Sequence, residues 1–421
     1  MIAFDDPSLV LKGTRVVERF LDYVRLDTQS DETSETCPST ARQLELARKL
    51  VDELKALGLR GVGRAEVAMD ENGYVLAELP GTVPGRLGLC AHIDTAPAFT
   101  GTGVSPQLVE HYDGKTIAVG NGVFIDPADT PELKECVGDT IIITDGRTLL
   151  GADDKAGIAA IMGALEILTQ RPEVRRPTLR VCFNPDEEIG RGADRFPLER
   201  FDCPVAFTID GSFTGEINVE TFSADKAVVS FTGVSVHPGT ARGKMVNALT
   251  WMGKLLDRLP MGEAPECTEG REGFYHPVSA AGDAASCTLQ LILRDFDTKV
   301  LEERGRRLER MCAGLMAEEP RLKVKVEISK QYRNMYDVLR RHPDVAKKLE
   351  DAVRAAGMTP RLTPIRGGTD GSRLTELGMP TPNIFAGGVN FHGPSEWIST
   401  RVLAQSACTI LNLVQLFVEG P

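Results

Sequence analysis

Five short clusters in this chain carry residue types that do chemistry: His92-x-Asp94, Asp153-Asp154, Glu187-Glu188, Asp210 and His392. Two imidazoles and several carboxylates form the donor set of a divalent zinc-like or manganese-like centre, with one carboxylate shared between two ions. A glutamate beside a ligand glutamate, as Glu187 stands beside Glu188, supplies a general base against water at the metal. Asp94 follows His92 by two residues. It therefore falls on the same side of an extended segment and orients that imidazole.

Singly, most of these clusters have an ordinary explanation. A lone His92 reads as a satisfied core histidine, Asp210 before Gly211 as a turn residue, and His392 in "NFHGPSE" as a loop histidine. Glu187-Glu188 suits the start of a solvated helix, where acids complement the dipole. Asp153-Asp154 resists such a reading. In "LLGADDKAGIAAIMGALEIL" (149–168) two acids and Lys155 interrupt an apolar run, and helix capping explains one aspartate but neither the second nor the lysine. Five coincidences are needed on the ordinary readings, whereas a dinuclear metal site needs one cause.

The elements that must position these residues support that cause. Apolar positions at helical spacing mark 13–26 (Val16, Val17, Phe20, Tyr23, Val24) and 40–57 (Leu44, Leu46, Ala47, Leu50, Val51, Leu54). Strand-like runs follow at "YVLAEL" (74–79) and "RLGLCAHID" (86–94), then a long loop over about 97–137. "DTIIITDGRTLLGADD" reads as a hairpin turning at Asp145-Gly146, before a helix over about 155–170. "TLRVCFNPDEE", a helix-like stretch and "PVAFTID" (204–210) continue the alternation. Strands alternating with helices predict a doubly wound, mainly parallel α/β sheet, and each of the five clusters lies just past a strand end, where such sheets bind ligands.

Near residue 218 the texture changes. Alternating strands ("NVETFSADKAVVSFTGVSVHPG", "ASCTLQLILRDF", "LKVKVEIS") and helices over 243–259 and about 298–316 suit a β-α-β-β-α-β sandwich. The expected organisation is therefore a discontinuous catalytic domain, 1–217 and 331–421, with an α+β domain inserted at 218–330.

Composition narrows the function classes. A length of 421 residues favours two domains, and a net charge of −12 argues against a phosphate-backbone binder and so against nucleic acid. No apolar stretch approaches the ~20 residues of a membrane span. "MIAFDDPSLV" lacks a basic leader, and nine scattered cysteines include no Cys-x-x-Cys pair, so a cytoplasmic protein with reduced thiols is expected. "GTARGKM" is one residue short of a phosphate-binding loop and ends in Met245, "GTGVSP" lacks a third glycine, and no Gly-x-Ser-x-Gly elbow occurs.

The segments "AHIDTAP", "LLGADDKAGIA", "NPDEEIGRGA", "IDGS", "SVHPGTARGKMVNA", "EGFYHP", "IRGGTDGSRL" and "GMPTPNIFAGGVNFHG" run in order from about residue 90 to the C-terminus. Together they resemble the peptidase T family of aminotripeptidases, part of a metallopeptidase group that includes carboxypeptidases, dipeptidases and aminoacylases. The metal motifs indicate only the broad group; "GTARGKMVNA", "EGFYHP" and "RGGTDGSRL" are specific to peptidase T.

The resemblance implies two Zn²⁺ ions, one on His92, Asp153 and Asp210 and the other on Asp153, Glu188 and His392, with Asp153 bridging. Mn²⁺ or Co²⁺ suits the same donors. It makes Glu187 the base acting on a water shared by the metals, gives Asp94 the tuning of His92, and implies a non-proline cis bond after Asp153. The inserted domain would be a lid and a homodimer interface. Its His237 would stabilise the oxyanion in a partner's site, and Asn247 and Arg294, with Arg366 as a second candidate, would grip a substrate carboxylate. The implied activity is removal of the N-terminal residue from tripeptides. The alternatives are a related hydrolase of dipeptides or N-acyl amino acids, disfavoured by the peptidase T segments, and a non-catalytic binding protein, which would be expected to have lost Glu187 or a ligand.

Overall fold

The computed structural model describes residues 2–418 and divides into two compact units. The first comprises the described residues through Val219, Asp337–Thr363 and those from Thr369 onward. The second comprises Glu220–Tyr336 and Pro364–Gly368.

The first unit is built on an eight-stranded mixed sheet. Its centre is parallel: Arg86–His92 lies between Thr178–Asn184 and Ala206–Gly211, with Asn383–Phe385 next. Alternation along these strands sends side chains to opposite faces. Leu89, Ala91, Val181 and Phe183 enter one core with the long helices, while Cys90 and Cys182 join Tyr74, Phe196 and Phe201 in a second core on the other face. Helices cover the first face because their apolar stripes match it: Val16–Val24 buries Val16, Phe20, Tyr23 and Val24, and Gln43–Ala56 buries Leu46, Ala47, Leu50 and Leu54. Ala152–Gln170 is buried along nearly its whole length, which explains its small residues and lack of a polar face.

The hairpin expected over 139–154 does not form. Ile141–Ile143 instead joins a separate four-stranded antiparallel sheet, between Gln107–Val109 and Trp397–Ser399. The other arm is unavailable for pairing because the N–H groups of Leu150 and Gly151 donate to the Glu396 carboxylate.

The second unit follows the order strand, helix, two strands, helix, strand: Ser223–Thr232, Ala248–Arg258, Phe274–Gly282, Ser286–Asp295, Thr298–Glu318 and Lys323–Tyr332. All strand pairs are antiparallel, with Phe274–Gly282 and Lys323–Tyr332 at the edges. No helix among the described residues is long and apolar enough to cross a membrane.

Candidate metal centre

His92 ends its strand, buried to 2% exposure, with Asn184 beside it on the neighbouring strand. Its Nδ1 lies 3.0 Å from the Asp94 carbonyl and 3.3 Å from Asp94 Oδ1, which leaves Nε2 directed at Asp153 Oδ1 (2.9 Å) and Asp210 Oδ1 (3.5 Å). Asp210 lies near the end of the next parallel strand. The other oxygen of Asp153 lies 3.1 Å from His392 Nε2, itself 3.0 Å from Glu188 Oε2. Two trios with ligand spacing result, His92–Asp153–Asp210 and Asp153–Glu188–His392, each with its donor atoms within 4.8 Å of one another. Asp153 belongs to both.

The supporting residues act through the backbone. Asp94 is fully buried and accepts the N–H groups of Glu187 (3.0 Å) and Glu188 (3.1 Å), so one carboxylate fixes both the His92 ring and the glutamate turn. That turn starts from Asp186 in the left-handed region (φ 62°). Asp186 is anchored there by Ser39 N–H (2.7 Å), Ser39 Oγ (2.5 Å) and Gln43 Nε2 (2.7 Å). The Asp153–Asp154 peptide is cis. Asp154, whose role the sequence leaves open, is buried and accepts His92 N–H (3.2 Å) and Gly157 N–H (3.1 Å), tying the strand end to the helix. Lys155 is buried too and donates to the Leu26 carbonyl at 2.7 Å.

Packing carboxylates and imidazoles this closely shifts both histidines and the acids that face them. Burial opposes a charge on His92, but hydrogen bonds to Asp153, Asp210 and Asp94 outweigh it and raise its pKa well above the ordinary value. Burial would likewise raise Asp153, yet His392 and His92 hold it well below the usual carboxylate range. Burial raises Asp210 to about 6, opposed by His92, and Glu188 to about 8, reinforced by the Asp153 charge. Glu187 is pushed well up by burial and then by the Asp210 charge. Hydrogen bonds to Asp153 and Glu188 raise His392 to about 10. Such a set is electrostatically costly without compensating cations. Glu188 Oε1 is also buried with no hydrogen-bond partner among the described residues, which a metal ion in the second trio would satisfy. The residues fit divalent metals.

Two acids here escaped the sequence reading. Glu396, at 1% exposure, accepts three backbone N–H groups from Leu150, Gly151 and Asp153; burial pushes it up to about 7 against those bonds. Asp370 is buried against Gly192 and accepts Asn184 Nδ2 at 2.5 Å; burial pushes it up to about 7, opposed by the charge on His92. Their only sequence signals were placement in "NFHGPSE" and "RGGTDGSRL".

His237, Asn247, Arg294 and Arg366 all belong to the second unit. His237 Nδ1 accepts Gly239 N–H (3.1 Å), which places the proton of the neutral ring on Nε2. Asn247 Oδ1 caps the helix Ala248–Arg258 by accepting Leu249 N–H at 3.0 Å. Arg294 Nη1 donates to Gln331 Oε1 (3.0 Å) and the Leu293 carbonyl (3.0 Å), with its guanidinium over Tyr332. Arg366 donates from Nη1 to the Gly270 and Glu272 carbonyls and from Nη2 to Thr268, and lies over Phe222 and Phe274. Those bonds are a structural use of Arg366, holding the 268–272 turn.

Comparison with known proteins adds an independent line. The model of peptidase family M20/M25/M40 matches residues 143–416. Peptidase T of Geobacillus thermodenitrificans (strain NG80-2) is 46% identical over 408 residues, spanning 96% of this chain and 98% of that protein. The crystal structure of aminopeptidase PepT from Bacillus cereus ATCC 10987 superimposes with a TM-score of 0.74 at 22% identity, covering 96% of this chain and 98% of that one. A dinuclear metal-binding peptidase of the M20 family from Bacillus subtilis gives a TM-score of 0.66 at 15% identity, covering 98% and 99%. At those identities the two structures speak to the fold.

Proposed function

This chain belongs to peptidase family M20/M25/M40, and from that premise we propose that it is a metal-dependent aminopeptidase releasing the N-terminal residue of tripeptides. The observation that carries the reading is the pair of ligand trios sharing Asp153, with Glu187 beside ligand Glu188. Near-full-length similarity to peptidase T supports this reading over the dipeptidase and N-acyl alternatives.

In this reading His92, Asp153 and Asp210 hold one divalent ion and Asp153, Glu188 and His392 the other. Zn²⁺ is the ion we propose, from the mixed nitrogen and oxygen donors, although the same donors suit Mn²⁺ or Co²⁺. Bound there, the ions polarise the scissile carbonyl and acidify water. Glu187 takes the proton from the attacking water and returns it to the leaving amine. Its backbone bond to Asp94 keeps the base in register with the metal ligands. His237, with its proton on Nε2, is the proposed donor to the developing oxyanion. Arg294 and Asn247 are proposed to hold the substrate carboxylate. Arg366 is the weaker candidate, since both terminal nitrogens already serve the 268–272 turn.

A homodimer through the second unit is also proposed. The outer half of edge strand Phe274–Gly282 supports it, because Val278 to Gly282 is exposed and carries no charge to blunt pairing. Nine free cysteines suit a reducing, cytoplasmic setting.

A substrate panel tests the proposal: a tripeptide, its N-acetylated form and the matching dipeptides, with wild-type protein and Glu187→Gln. The wild type should cleave the free tripeptide and ignore the acetylated form. Glu187→Gln should lose about 10²–10⁴-fold in kcat while keeping its metal. Full turnover of acetylated substrate would sink the aminopeptidase reading, and an unimpaired Glu187→Gln would remove the assigned base.

A further inference from the structure

We propose that Glu396 is a positioning residue for the metal centre: its carboxylate closes the Leu150–Asp153 segment onto the His392 loop and so sets the shared ligand Asp153 against His392. The inference rests on the metal-centre reading above.

Glu396 reaches across from a rigid frame. It immediately precedes the strand Trp397–Ser399, whose first residue pairs with Ile143, and its own N–H donates to the Gly393 carbonyl at 3.3 Å. Its Oε2 accepts Leu150 N–H (2.7 Å) and Gly151 N–H (2.9 Å), and its Oε1 accepts Asp153 N–H (3.2 Å). The acid therefore binds the very amide of the residue it positions, four positions after His392.

The cradle needs the conformation these bonds support. Gly151 lies in the left-handed region (φ 84°), and Asp153 and Asp154 depart from helical geometry inside the start of Ala152–Gln170. Left-handed geometry also occurs at Asn390 (φ 58°) and His392 (φ 64°). The two segments meet closely, since a Cβ on Gly388 would lie 2.8 Å from the Ala152 Cβ. Three N–H groups at a helix start offset part of what this buried carboxylate loses in hydration. If it only capped the helix, its loss would lower stability and leave metal binding alone. As a positioning residue it acts on the ligand shared by both trios.

Outer partners of metal ligands typically affect affinity by about 10–100-fold. The test titrates chelator-stripped full-length protein with Co²⁺, followed by its visible absorption, and with Zn²⁺ against a chromophoric competitor. The proteins are the wild type, Glu396→Gln and Glu396→Asp, with circular dichroism and Tm of the metal-free forms recorded alongside. Glutamine replaces one acceptor by an NH₂ group facing an N–H donor; aspartate keeps the charge but withdraws it by one methylene. We expect both variants to fold and to bind metal about 10–100-fold more weakly, with an altered Co²⁺ spectrum.

Wild-type affinity and spectrum in Glu396→Gln would overturn the proposal. So would weakening in Glu396→Gln with wild-type behaviour in Glu396→Asp, which would make charge alone the cause. If Glu396→Gln does not fold, Glu396→Asp decides by the same criterion, a wild-type titration being the contradicting result. A wild type that binds neither ion would instead refute the metal-centre reading itself, so the two failures are distinguishable.

Discussion

Asp153 gives one oxygen to each trio, while Glu188 keeps Oε1 buried and without a hydrogen-bond partner among the described residues. In the metal-free protein the second trio holds protons where a cation would sit, with Glu188 at about 8 and His392 at about 10. Metal binding must expel them, so affinity should rise with pH while those groups remain protonated. We expect about a tenfold gain per pH unit for each proton released between pH 6 and 8. Calorimetry in buffers of different ionisation enthalpy measures the release, and a binding heat independent of buffer would contradict it. The chemically distinctive residues were legible in the sequence because histidines and paired acids at strand ends have few joint explanations. Glu396 and Asp370 were not, since their significance lies in contacts with Leu150 and Asn184 that span 246 and 186 positions.

At the level of elements, the site depends on how closely the helix Ala152–Gln170 approaches the strand Ala206–Gly211. Gly157 permits that approach: a Cβ there would lie 1.9 Å from the Ile209 carbonyl oxygen and 2.3 Å from Asp154 Oδ1. Neither obstacle is a flexible side-chain end free to swing away. Gly157→Ala should therefore cost about 3 kcal/mol of stability and weaken metal binding with it. Thermal unfolding and metal titration check this, and an unchanged Tm would show that the helix can shift freely. The helices Val16–Val24 and Gln43–Ala56 were legible from apolar spacing and the central strands from apolar runs between turns, but the hairpin expected over 139–154 does not form. Its apolar residues and Asp-Gly turn fit a strand pair, whereas Glu396 captures the amides that pairing would need. In the second unit the strand Phe274–Gly282 escaped notice because Pro277, Ser279 and Gly282 are poor strand formers. It persists at the sheet edge, with a register irregularity after Pro277.

Across the whole molecule, the alternating α/β texture and its change near residue 218 made the α/β class and the inserted α+β fold readable. What stayed out of reach was the pairing of Ile141–Ile143 with Trp397–Ser399, a contact with no local signature. Association belongs to this scale too. Val278 is 56% exposed on the uncharged edge strand, so Val278→Lys should shift a dimer toward monomer in light scattering after size exclusion. A wild type that is monomeric at micromolar concentration would contradict the proposed dimer. The central claim, a two-metal aminopeptidase on the Asp153 trios, is tested most directly by tripeptide turnover during reconstitution. Chelated protein verified as metal-free should be inactive and should regain full activity as Zn²⁺ approaches about two equivalents; full turnover by the metal-free protein would contradict the account.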